Sequence, residues 1–168
     1  VAYTGTGATA TIGHGLGAVP GFILIKNLDV TDSWAVYHSH NTAAPATDYL
    51  VLDTTAATVD AATYWNDTAP TSSVFTVNTA HSVNADGEDY IAYCFAPSQF
   101  ISIGAYEGSN AAGIGYSADM DGVFVPTLNK YAIGIQSNFL MIKNVDTTED
   151  WMMYDHKRNP RNIVATLE

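Results

Sequence analysis

Four residues of types that bind polar ligands fall close together: Lys26, Asp29, Asp32 and Trp34. An indole can stack on a sugar ring, while an ammonium and carboxylates bond its hydroxyls. Tyr37 and Trp65 complete the candidate ligand-binding set: Lys26, Asp29, Trp34, Tyr37 and Trp65. Tyr3 and Tyr64 are further aromatics with the look of glycan contacts. A scaffold role competes with this chemistry. In it, Asn27, Asp29 and Thr31 build a hairpin tip, and Lys26 lies along Trp34 and pairs with a carboxylate. The scaffold reading is the stronger of the two, because the cluster occurs twice in the chain.

His38 and His40 offer a second chemistry. On a strand they share one face, about 7 Å apart, where copies from a trimer could join them around a transition metal. Asp119 and Asp121, and the run Asp86-Gly-Glu88-Asp89, offer clustered oxygens of the kind calcium takes. Neither run has a complete calcium loop, so a solvated turn is the default and no cofactor is expected unless it is calcium. Gly13-His-Gly15-Leu-Gly17-Ala18 formally matches a dinucleotide fingerprint. That chemistry needs a helix to follow the glycines, and Phe22-Ile-Leu-Ile25 reads as a strand. The sequence has no G-x-S-x-G elbow and no H-E-x-x-H. Cys94 alternates with Tyr90 and Ala92 on one strand face, which predicts a buried, inert thiol. No enzymatic activity is expected.

These residues need a frame, and the frame reads as β. Runs at 22–25, 33–39, 48–53, 73–78 and 89–96 are rich in β-branched and aromatic residues, with Gly, Pro, Asn and Asp between them. Their spacing predicts an all-β, antiparallel, jelly-roll-like β-sandwich. Only 54–63, rich in Ala, suggests a helical turn.

The 168 residues carry 6 Lys and Arg against 17 Asp and Glu, a net charge of -11. Between Lys26 and Lys130 there is no Lys or Arg, but there are twelve carboxylates. Such a surface does not collect phosphates, so neither nucleic acid nor an anionic membrane is an expected partner. No apolar run approaches a membrane span. A single cysteine excludes an internal disulfide framework.

The chain repeats itself. Residues 22–37 align without gaps to 139–154, with eight of sixteen positions identical. Lys26, Asp29, Asp32 and Trp34 recur as Lys143, Asp146, Glu149 and Trp151. Ala2-Tyr-Thr-Gly5 matches Ala105-Tyr-Glu-Gly108, so the second copy holds about fourteen extra residues within 109–138. Seventy residues separate Lys26 from Ala96, but only 25 follow Lys143. The expected division is a first β-sandwich repeat at 1–96 and a second, truncated repeat at 97–168.

Three segments carry a resemblance. They are Thr11-Ile-Gly-His-Gly-Leu-Gly-Ala-Val-Pro-Gly-Phe22, the hairpin from Ile25-Lys26 to Trp34-x-x-Tyr-His38, and Trp65-Asn-Asp-Thr-Ala-Pro-Thr-Ser-Ser-Val-Phe-Thr-Val77. With Tyr90-Ile-Ala-Tyr-Cys-Phe-Ala96 they resemble a β-sandwich repeat of tailed-phage structural proteins, frequent in marine and cyanobacterial phages. The second copy departs from it, with Thr127-Leu-Asn-Lys-Tyr131 in place of the glycine-rich entry. The resemblance implies a virion protein of a tail, fibre or surface appendage, with a role in host attachment. It implies other virion proteins as partners, a homotrimer, contact with host surface glycan, and a location on the particle surface. Alternatives are a capsid decoration or head-fibre protein, and a carbohydrate-binding module or depolymerase accessory domain.

Overall fold

The structure, a computed structural model, describes residues 1–108, 115–116 and 139–155. The chain divides into two compact units. One comprises Val1–Gly104 with Val145–Thr148, and the other comprises Ala105–Asn144 with Glu149–Glu168.

In the first unit the described strands are β1 (Ala2–Thr4), β2 (Ala10–Gly13), β3 (Phe22–Asn27), β4 (Ala35–His38), β5 (Asp48–Val51), β6 (Val59–Asp60), β7 (Val74–Val77) and β8 (Asp89–Phe95). Two single-turn helices join them, α1 (Ala62–Trp65) and α2 (His81–Asn84). Six strands form one antiparallel sheet in the order β1-β8-β3-β4-β5-β6, and β2 pairs with β7 in a second ladder. The fold is the all-β, antiparallel class that the strand rhythm predicts.

Period-two alternation decides which side chains enter the core. Ile23 and Ile25 of β3, Ala35 and Tyr37 of β4, and Tyr90 and Ala92 of β8 point to one face of the large sheet. Phe75 and Val77 of β7 meet them from the opposite ladder, with Ile12 of β2 packed alongside. Val83 of α2 and Trp65 of α1 are buried in the same cluster. Cys94 follows Tyr90 and Ala92 on that face and packs against the core, where burial pushes its thiol pKa up.

The helical turn falls later than the sequence suggests. Residues 59–60 pair with β5, and the helix begins only at Ala62. Val and Thr disfavour helix at 58–59, while Ala61 and Ala62 permit it. Asn66 then ends the turn in the left-handed region, at φ 53°.

The second unit holds β9 (Glu107–Gly108) paired with β10 (Gly115–Tyr116), and β11 (Phe139–Ile142) paired with β12 (Met152–Asp155). The two long hairpins have the same register. Phe22 faces His38 and Ile25 faces Ala35 in the first; Phe139 faces Asp155 and Ile142 faces Met152 in the second. The sequence match at 22–37 and 139–154 is therefore a match of strand pairing as well.

Candidate functional site: the tip of the first long hairpin

The loop between β3 and β4 closes on itself through two side chains. Lys26, the penultimate residue of β3, turns its ammonium back over the loop. It donates to the carbonyl oxygens of Asn27 at 2.9 Å and Asp32 at 2.8 Å, with Val30 O at 3.5 Å. Asn27, only 1% exposed, accepts the N–H groups of Asp29 and Val30 on its side-chain oxygen, an Asx turn. Its amide nitrogen donates to Glu88 and to the Tyr90 hydroxyl. All four hydrogen-bonding directions of that buried amide are thus used.

Neighbouring segments hold the loop from outside. Asp29 accepts the backbone N–H of Asp89 at 2.6 Å. Asp32 caps Ser33 N–H at 2.7 Å and meets His81 Nδ1 at 3.0 Å. The other nitrogen of His81 lies 3.4 Å from Glu88, so one imidazole spans two carboxylates from separate loops. Burial alone would raise the Asp32 pKa, but the hydrogen bonds from His81 and Ser33 outweigh it and bring it below the ordinary value. The same contact with Asp32, aided by Glu88, raises that of His81.

At this tip lies a concave site of about 580 Å³ lined by 26–32, Trp34 and Asp53. Asp53 follows β5 and takes the backbone N–H of Trp34 at 3.0 Å. The Trp34 ring leans on Tyr93 of β8, with centroids 6.2 Å apart.

Of the candidate ligand residues, the structure gathers Lys26, Asp29 and Trp34 here. Tyr37 and Trp65 lie elsewhere and are core. Tyr37 is 4% exposed and Trp65 2%, with their rings edge to face at 5.9 Å. The Trp65 indole N–H donates to Asp48 O at 3.0 Å. Tyr3 and Tyr64 are also spent internally: Tyr3 bonds Val83 O at 2.6 Å and stacks on Tyr90, and Tyr64 stacks on Tyr49 at 3.6 Å. Lys26 departs from the scaffold expectation in one respect, since it holds main-chain carbonyls where a carboxylate partner is predicted.

His38 closes β4, and His40 falls in the turn beyond it, with ring centroids 6.1 Å apart. His38 Nδ1 accepts the backbone N–H of His40 at 3.1 Å, and His40 Nδ1 bonds Ser39 at 2.9 Å. Each imidazole therefore keeps one ring nitrogen for its own turn. Burial, with some repulsion from His40, lowers the His38 pKa to about 4. Among the described residues no group of three or more His, Cys, Asp or Glu is arranged to hold a metal ion. Asp119 and Asp121 lie outside the described residues.

The glycine-rich entry runs from β2 to β3, strand to strand. His14 organises it, meeting Thr71 O at 3.0 Å through Nε2 and accepting Leu16 N–H through Nδ1.

The model of a domain of unknown function, DUF7483, matches residues 1–168. The chain belongs to the DUF7483 family. No curated protein and no solved structure matches it. For a DUF7483 domain, then, the geometry at the hairpin tip is the guide to function. Sequence reading missed Asp53 and His81 there, and placed Glu88 only in a candidate calcium run. Asp53 lies 19 residues from Trp34, and His81 lies 49 from Asp32, and no motif links such separations.

Proposed function

We propose that this domain is a non-enzymatic structural module of a tailed-phage virion, part of a tail, fibre or surface appendage that contributes to host attachment. The observation that carries the reading is the hairpin built twice. Lys143 donates to Glu149 O at 2.6 Å, the counterpart of the Lys26 bond to Asp32 O, and the strands pair in the same register. Each lysine of the motif bonds a main-chain carbonyl of its own loop. Residues repeated for that purpose serve architecture, and modules repeated along a chain are how extended appendages are made. The order of motifs across the first unit resembles the phage repeat, and the excess of carboxylates suits a particle exposed to varied surroundings. Other virion proteins are the partners this reading requires, with a homotrimer as the assembly.

The test is to find the parent protein in the particle. Mass spectrometry of purified virions, followed by particle imaging with chain tracing, should place it in a surface appendage. Density on the capsid shell would move it to head decoration. Absence from purified particles would overturn the reading.

A further inference from the structure

We infer that the hairpin-tip concavity of the first unit is a binding site for an uncharged saccharide, centred on Trp34 and Asp53. This rests on the attachment reading above, to which it adds a ligand class and a place.

The walls are fixed in advance. Lys26 and Asn27 tie the loop from within, and Asp89 and His81 tie it from without. A preorganised wall spares a ligand the cost of ordering it. Onto these walls open groups with spare capacity. Asp29 spends Oδ2 on Asp89 N–H, and its other oxygen has no hydrogen bond among the described residues. Asp53 spends Oδ1 on Trp34 N–H and, among the described residues, keeps its second oxygen. Among the described residues the Trp34 indole N–H meets no acceptor, although that of Trp65 has one. The site thus offers two acceptors, one donor and an aromatic ring.

That combination chooses among ligands. Carboxylates repel an anion. A cation gains the carboxylates but meets the Lys26 ammonium and an indole N–H. A polyhydroxylated ring both donates and accepts, and its C–H face suits an indole. The concavity is shallow and open to solvent, about 580 Å³ in volume. Tyr93, 45% exposed and beside Trp34, extends the aromatic surface.

The test uses the full chain on an array of bacterial surface oligosaccharides, with calorimetry on the strongest binder. Trp34→Ala should weaken binding at least about tenfold with the melting temperature held. If Trp34→Ala does not fold, Trp34→Phe and Asp53→Asn decide. The first removes the indole N–H, the second keeps the bond to Trp34 N–H and removes the charge, and each should lower affinity severalfold. No binding to any arrayed oligosaccharide overturns the inference, as does wild-type affinity in the variants. Because the array uses isolated protein, its failure leaves the virion placement to its own test.

Discussion

Replacing Lys26 by Met separates a lysine that closes a loop from one that faces a ligand. Met keeps the aliphatic stem and removes the donors. Two bonds are short enough to count, to Asn27 O and Asp32 O, whereas the Val30 contact at 3.5 Å is marginal. A charged hydrogen bond is worth roughly 1.5–3 kcal/mol where water cannot replace it. The Lys26 site is only half-buried, so water recovers part of that and about 0.5–1 kcal/mol per bond remains. The expected loss is about 1–2 kcal/mol, or roughly 5–15 °C in the melting temperature of a unit this size. Urea unfolding followed by tryptophan fluorescence measures it, with Trp34 at the loop and Trp65 in the core of the same unit. Lys143→Met should destabilise the second unit in the same direction, because Lys143 makes the matching bond. An unchanged midpoint for Lys26→Met would show that the carbonyl contacts contribute nothing, and the architectural account of the repeated lysine would fall with them.

Gly5→Ala should be worse. An added Cβ would sit 2.0 Å from Ala85 O, where real Cβ atoms keep at least 3.0 Å, so the backbone must part and strain the bonds Gly5 N to Glu88 O and Gly87 N to Gly5 O. About 3 kcal/mol or more should be lost in denaturant unfolding, against roughly 1–2 for Gly15→Ala, which has open space but φ +69°. Tyr90→Phe strands the Ala85 N–H and His81 O that the hydroxyl now serves, and should cost about 2–4 kcal/mol by the same measurement. Acid should destabilise the protein through His38. Its folded pKa, about 4, lies below the usual 6.5, so the unfolded chain takes up a proton first and stability falls as pH drops between those values, by up to about 3 kcal/mol. His81 works the other way: its folded pKa is raised, so its contribution is full below 6.5 and fades as pH rises through the higher value. Melting temperatures from pH 4 to 8 should therefore fall on the acid side, and His38→Gln should flatten that limb. A chelator should leave the midpoint where it is, and a drop of several degrees would establish a bound cation.

The strands were legible because their residues are. Ile23, Ile25, Tyr90 and Ala92 alternate into the core as period two requires. Trp65 was not legible, since Asn-Asp-Thr-Ala-Pro follows it and reads as an exposed turn. Its burial depends on α1 presenting it to Tyr37, a tertiary event. The hairpin at 22–38 could be drawn from its repeat, but the object of Lys26 could not. Sequence shows carboxylates nearby, whereas curvature brings main-chain carbonyls closer. Asn84 carries no signal at all, yet it is buried and clamps Thr6, Ala8 and Asn78 through its amide.

Strand order also sets a timetable for synthesis. β8 lies between β1 and β3, with Ala2 facing Ile91 and Phe22 facing Phe95. The strand that joins the sheet is the last of its unit to leave the ribosome. Until β8 emerges, β1 has no partner and one edge of β3 stands open. Pairings this distant in sequence make folding slow and expose strand edges in the meantime. A chain of such units would commit each domain only when its final strand arrives, so a nascent polypeptide stalled before residue 89 should remain protease-sensitive throughout.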